Sequence, residues 1–114
     1  MSVKLNTRQV GDVSVVDVAG RITLGEGSSA LRDTLREMVT RNQKKILLNL
    51  GDVSYIDSSG IGELVSGFTT VANSGGTLKL LNLTKRVKDL LQITKLYTVF
   101  EVHEDEAAAV RSFA

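Results

Sequence analysis

Residues 46–62 read ILLNLGDVSYIDSSGIG. The first five, Ile46-Leu47-Leu48-Asn49-Leu50, are nearly continuous in apolar side chains, as a strand buried on both faces of a sheet should be. Gly51 through Ile56 lead from that strand to Asp57, Ser58 and Ser59, residue types that cap helices. Beyond them Ile61, Leu64, Val65, Phe68 and Ala72 share one face of a helix. Gly60 and Gly62 fall in the first turn of that helix, where each glycine costs roughly 1 kcal/mol against alanine. A chain that accepts this twice needs bare backbone there.

Working outward, Val3-Lys4-Leu5-Asn6-Thr7 and Val13-Ser14-Val15-Val16-Asp17-Val18 are rich in β-branched residues and predict two strands, with Gly11-Asp12 as a hairpin turn between them. After Gly20 and Gly25 to Gly27, Ser28 or Ser29 is expected to cap a helix whose stripe is Leu31, Leu35, Met38 and Val39. Asn73-Ser74-Gly75-Gly76 ends the second helix. Thr77 to Leu83 predicts another strand, Thr84 caps a short helix through Leu91, and Thr94 starts one more turn. Phe100 to Val102 predicts the last strand, and residues 104–113 a terminal helix with Glu104, Asp105 and Glu106 in its first turn, where the dipole favours negative charge. The order β-β-α-β-α-β-α-β-α makes an α/β domain. It predicts a mixed, mostly parallel sheet of about four to five strands packed with about four helices. Partner or ligand sites in such sheets tend to lie at the carboxyl ends of the strands, where residues 57–62 are expected.

Composition narrows the function. The 114 residues fit one domain, 1–114, and are 42% hydrophobic and 24% charged. A net charge of +1 gives no footprint for direct nucleic-acid binding. The absence of cysteine excludes disulfides, thiolate metal sites and cysteine nucleophiles. No apolar h-region opens the chain and no run approaches the roughly 20 residues that span a bilayer, so a cytoplasmic protein without membrane insertion is expected. A serine hydrolase needs a base, and the one histidine, His103, stands beside the acidic terminal segment and is expected at the surface. The Gly-x-Ser-x-Gly elbow is missing around Ser58 and Ser59. Gly60-Ile61-Gly62 lacks the third glycine of a dinucleotide turn, because the next is Gly67. Clustered metal ligands are not evident. Neither an enzyme nor a bound cofactor is therefore expected. The serines fit an acceptor role better. A helix N-terminus offers free N–H groups and a partial positive charge that tolerate an added phosphate, and small neighbours clear the approach of another protein's active site.

These residues carry a resemblance. The strand Ile46–Leu50, the run Gly51–Ile56 and Asp57-Ser58-Ser59-Gly60-Ile61-Gly62 resemble the signature of the STAS domain, and more narrowly that of the bacterial anti-sigma factor antagonists. The hairpin, Gly20, the helix order, the Gly75-Gly76 turn and Val87 to Leu96 extend it over essentially the whole chain. The resemblance implies that Ser58 is the phosphoacceptor, that Asp57, Ser59, Gly60, Ile61 and Gly62 form the partner-binding loop, and that Gly60 and Gly62 let the partner approach. It implies an anti-sigma factor that is also a serine kinase and brings the ATP, with a serine phosphatase resetting the switch to regulate transcription. Its alternative is a structural subunit of a stress-signalling or lipid-transport ABC assembly, in which the serine is not modified. One departure stands at Thr23, where the family often has aspartate near the phosphorylation loop. Lys85, Arg86 and Lys88, cations at a helix start where the dipole disfavours them, are a further candidate partner surface together with Thr23.

Overall fold

The structure, a computed structural model, describes residues 3–113. Two β-branched segments pair first: β1 (Val3–Val10) and β2 (Val13–Ile22) form an antiparallel hairpin in which Val10 faces Val13 and Gly11 takes φ +62° in the turn. Then follow α1 (Glu26–Thr40), β3 (Lys45–Ile56), α2 (Ser58–Asn73), β4 (Thr77–Leu81), α3 (Lys85–Ile93), β5 (Val102–His103) and α4 (Glu106–Arg111). The sheet order is β1-β2-β3-β4-β5, with every pair after the hairpin parallel. This is the expected mixed sheet with four helices, in the expected element order.

Boundaries moved where tertiary contacts outweighed local signals. α1 begins at Glu26 after Gly25, with no side-chain cap. Ser28 is instead buried, and its backbone N–H and hydroxyl both donate to the Thr23 carbonyl, at 3.0 and 2.9 Å. β3 continues through the stretch read as a connection, because Gly20, Arg21 and Ile22 at the end of a long β2 pair with Val53, Tyr55 and Ile56. Thr94 closes α3 rather than opening a turn: its N–H and hydroxyl return to the Leu90 carbonyl. β5 falls at Val102–His103, and α4 is shorter than expected, capped by Asp105.

The larger core lies between one sheet face and the helices α1, α2 and α3. Val16, Val18, Ile46, Leu48, Leu50 and Ile56 meet Leu31, Leu35, Ile61, Leu64, Val87 and Leu91 there. α1 and α2 approach so closely that a β-carbon on Gly67 would strike the Leu35 side chain. The opposite face holds a smaller cluster, Val13, Val15, Leu47 and Leu81, roofed by Ala109 with Val110 and Phe113 packed around it. β3 is thus apolar on both faces for a physical reason: it feeds Ile46 and Leu48 to one cluster and Leu47 to the other.

Candidate functional site

The strand–helix junction after β3 is built around Asp57. Its Oδ1 accepts the Gly60 N–H at 2.9 Å, which caps α2, and its Oδ2 accepts the Leu24 N–H at 3.3 Å. The Asp57 N–H itself donates to the Ile22 carbonyl at 3.4 Å. One carboxylate therefore ties the start of α2 to the segment leaving β2. Of the three candidate caps, the aspartate is the one that acts, and both serine hydroxyls are left without a hydrogen-bond partner among the described residues. Ser58 is exposed at the first position of α2 and Ser59 is half-buried.

The two glycines have different reasons. Gly60 is buried, and a β-carbon on it would collide with the Ile22 carbonyl oxygen and the Ile56 side chain. Its bareness serves the packing of α2 against the end of β2, not the approach of a partner. Ile61 is likewise in the core at 2% exposure. Gly62 is exposed with open space around it, one helical turn beyond Ser58 on the same face. The surface offered by the predicted loop is therefore Ser58 and Gly62 with part of Asp57 and Ser59.

Asp57 ties the Ser58 turn to the segment leaving β2, and Tyr55, three residues before Ser58, meets side chains from two other elements. Thr23, half-buried, sits at the rim next to Leu24, which is 79% exposed because its backbone is pinned to Asp57 while its side chain has nothing to pack on. Arg21, the register partner of Tyr55, places its guanidinium 4.8 Å from the Tyr55 ring centre. Arg86 reaches the same ring from α3, at 4.6 Å. The basic cluster of α3 is thus divided: Arg86 rests on Tyr55, Lys85 pairs with Asp89 at 2.7 Å, and Lys88 lies half-buried further along the helix. Leu24, Arg21 and Tyr55 were not singled out in the sequence. The signal that would have found them is the full length of β2, which carries Arg21 and Leu24 to the carboxyl edge beside Ser58.

Other chemistry is poorly supplied. His103 lies on β5, with β4 between it and the strand that delivers Ser58, and its Nε2 sits 2.6 Å from a Glu101 carboxylate oxygen. The hydrogen bonds from His103 and Lys79 hold Glu101 below the usual carboxylate range. Among the described residues no three His, Asp or Glu side chains gather as metal ligands. Strands adjacent in space are consecutive in sequence, so the sheet has no order reversal and none of the crevice in which doubly wound folds hold dinucleotides. A polar cleft does open between Asn49, Asn82 and Thr84, but its charged groups are the carboxylates of Asp52 and Glu104, which disfavour phosphate. Among the described residues no helix is long and apolar enough to cross a membrane.

Known proteins are similar to this chain in sequence and in fold. The chain is 31% identical over 111 residues to the anti-sigma-B factor antagonist of Bacillus subtilis, covering 97% of this chain and all of that one. It is 22% identical over 111 residues to the anti-sigma F factor antagonist of Paenibacillus polymyxa, covering 96% and 94% of the two chains. Among solved structures, an anti-sigma factor antagonist from Mycobacterium paratuberculosis superposes with a TM-score of 0.82 at 17% identity, over 97% of this chain and 93% of that one. The Bacillus cell fate determinant SpoIIAA in its phosphorylated form gives 0.76 at 18% identity, over 97% and 100%. The STAS domain family model matches residues 4–109, nearly every described residue of the fold and all of the Ser58 edge. By that match and by the Bacillus subtilis relative, the chain belongs to the STAS domain family.

Proposed function

We propose that this chain is an anti-sigma factor antagonist whose unmodified form binds an anti-sigma factor of the serine-kinase type through the Ser58 edge, and which leaves that partner when Ser58 is phosphorylated. The observation that carries the reading is the Ser58 hydroxyl: exposed, unbonded among the described residues, and held at a helix start by the Asp57 cap. The names of the Bacillus and Paenibacillus relatives support the antagonist role. In the transfer, the Ser58 Oγ bonds to the γ-phosphorus of ATP bound in the kinase as the bond to the ADP oxygen breaks. The hydroxyl proton passes to a base of the kinase. A serine phosphatase returns the hydroxyl by hydrolysis.

The switch is electrostatic and local. Phosphate brings roughly −1.5 to −2 charges to a contact surface, adding desolvation and repulsion. Coupling of the usual size, about 1 to 3 kcal/mol, changes affinity about 5- to 150-fold. The test is a pull-down from native-cell lysate with wild type and Ser58→Asp as baits, read by mass spectrometry. The expected result is an ATPase-type serine kinase retained by wild type and weakened within that range by the substitution. Equal recovery on both baits, or recovery of transporter or scaffold subunits alone, overturns the reading in favour of a structural subunit.

A further inference from the structure

Arg8, Arg32 and Arg41 each meet a carboxylate within 2.9 Å or less. Arg36, Arg111, Arg21 and Arg86 are exposed and have no ion-pair partner among the described residues, and of these Arg21 and Arg86 both rest on Tyr55. They come from opposite neighbours of β3, Arg21 from β2 and Arg86 from the start of α3. Ser58 follows Tyr55 by three residues, a span of at most about 10 Å of extended chain. Its entry into α2 is tied back to β2 through the Asp57 N–H and the Ile22 carbonyl, one residue beyond Arg21. Two unpaired guanidiniums and a free hydroxyl thus occupy one end of β3.

We propose that Arg21 and Arg86, parked on Tyr55, form an intramolecular receptor for the phosphate carried by Ser58. The proposal rests on the preceding reading only in taking Ser58 as the acceptor. A guanidinium over an aromatic face in water is held weakly and exchanges readily. A phosphate dianion offers it paired, charge-assisted hydrogen bonds in the geometry that guanidinium fits best. Phosphorylation then draws both arginines from Tyr55 toward position 58. The phosphate is paired in place, and the two cations are withdrawn from the surface offered to a partner at the same moment, which leaves the Tyr55 ring uncovered. The carboxylates on the adjoining segments are Asp52 of β3, Asp57, which caps α2, and Glu26 in the first turn of α1; Asp89 is already paired with Lys85. None is bonded to Arg21 or Arg86.

The test uses the full chain with phosphoserine installed at position 58 during translation, so no kinase is needed. The probe is the phosphate itself, titrated by phosphorus NMR in otherwise wild-type protein and in Arg21→Gln/Arg86→Gln. The second phosphate ionisation is expected about one unit lower in wild type than in the double variant, the lower end of what an adjacent guanidinium does to an acid. The α2 terminus and Asp57 are present in both proteins and cancel. A second readout needs no variant: the arginine side-chain resonances shifted by the Tyr55 ring should move on phosphorylation. Superimposable titrations, or arginine resonances that stay in place, overturn the proposal. A lowered ionisation with partner binding undiminished by phosphate upholds the receptor and removes the antagonist switch. An unshifted ionisation with partner binding lost does the reverse.

Discussion

Three positions within six residues behave differently because of what a single atom would meet. Gly60→Ala puts a β-carbon against the Ile22 carbonyl, which is backbone and cannot swing aside, so overpacking should destabilise the fold by about 1–3 kcal/mol. Gly62→Ala meets open space and gains helix propensity, so it should stabilise by up to about 1 kcal/mol. Urea denaturation of the two variants side by side checks both signs. Asp57→Ala removes the α2 cap and the acceptor of the Leu24 N–H together, with an expected loss of about 1–2 kcal/mol, while Asp57→Asn should retain most of it. Leu24 is exposed and its backbone is tied to Asp57, the neighbour of the proposed acceptor Ser58, so Leu24→Ser should leave the unfolding midpoint unchanged and weaken binding of the proposed kinase partner about tenfold, as loss of an apolar anchor does. Calorimetric titration of the two proteins against that kinase decides it.

At the scale of elements, α4 is the piece whose attachment depends on charge. It has six residues, and the apolar cluster beneath it is small. Arg8 of β1 fastens it by two hydrogen bonds to Glu106, at 2.7 and 2.9 Å, while also pairing with Asp17 of β2 at 2.7 Å. At the other end, Lys79 of β4 donates to the Ser112 carbonyl and hydroxyl, at 2.9 and 2.8 Å. The Arg8 hydrogen bonds hold both Asp17 and Glu106 below the usual carboxylate range, and Asn49 contributes a further bond to Asp17. Groups lowered in this way add stability that is complete above the unfolded-state carboxylate range and is lost as pH falls through the lowered folded-state values. The three side chains are each about a third exposed, so solvent screening limits the gain. Arg8→Gln should cost about 1 kcal/mol at pH 7, and the difference from wild type should shrink towards zero below the lowered values. Paired urea curves across the acid range measure it.

For the whole molecule, the consecutive order of the strands puts β2 and β3 side by side and brings their carboxyl ends, with α2, to one edge. Among the described residues no side-chain hydrogen bond ties the Ser58 hydroxyl to the core, where the neighbouring Ile61 is already fixed. Phosphorylation is therefore expected to leave the fold intact. Amide spectra of the unmodified and phosphorylated chain should differ near residues 21–24, 55–62 and 86 and coincide over α4 and the β1–β2 hairpin. Widespread change would show that the switch works through the fold rather than at the surface.

The local chemistry of the chain determined the element order, the sheet type, the Thr84 cap of α3 and the serine-bearing turn after β3. Hydrophobic period, β-branching and turn residues act over neighbours in sequence, so they can be read there. Tertiary structure decided what depends on distant partners. Ser28 is buried instead of capping because the Thr23 carbonyl takes its hydrogen bonds. β3 runs on to Ile56 because β2 is long enough to pair with it. Gly60 is bare for the sake of Ile22, thirty-eight positions earlier by residue number, rather than for a partner. Arg86 alone of its basic cluster reaches Tyr55, since a cation's role depends on which ring or carboxylate the fold sets within its reach, and that is a property of the packed chain.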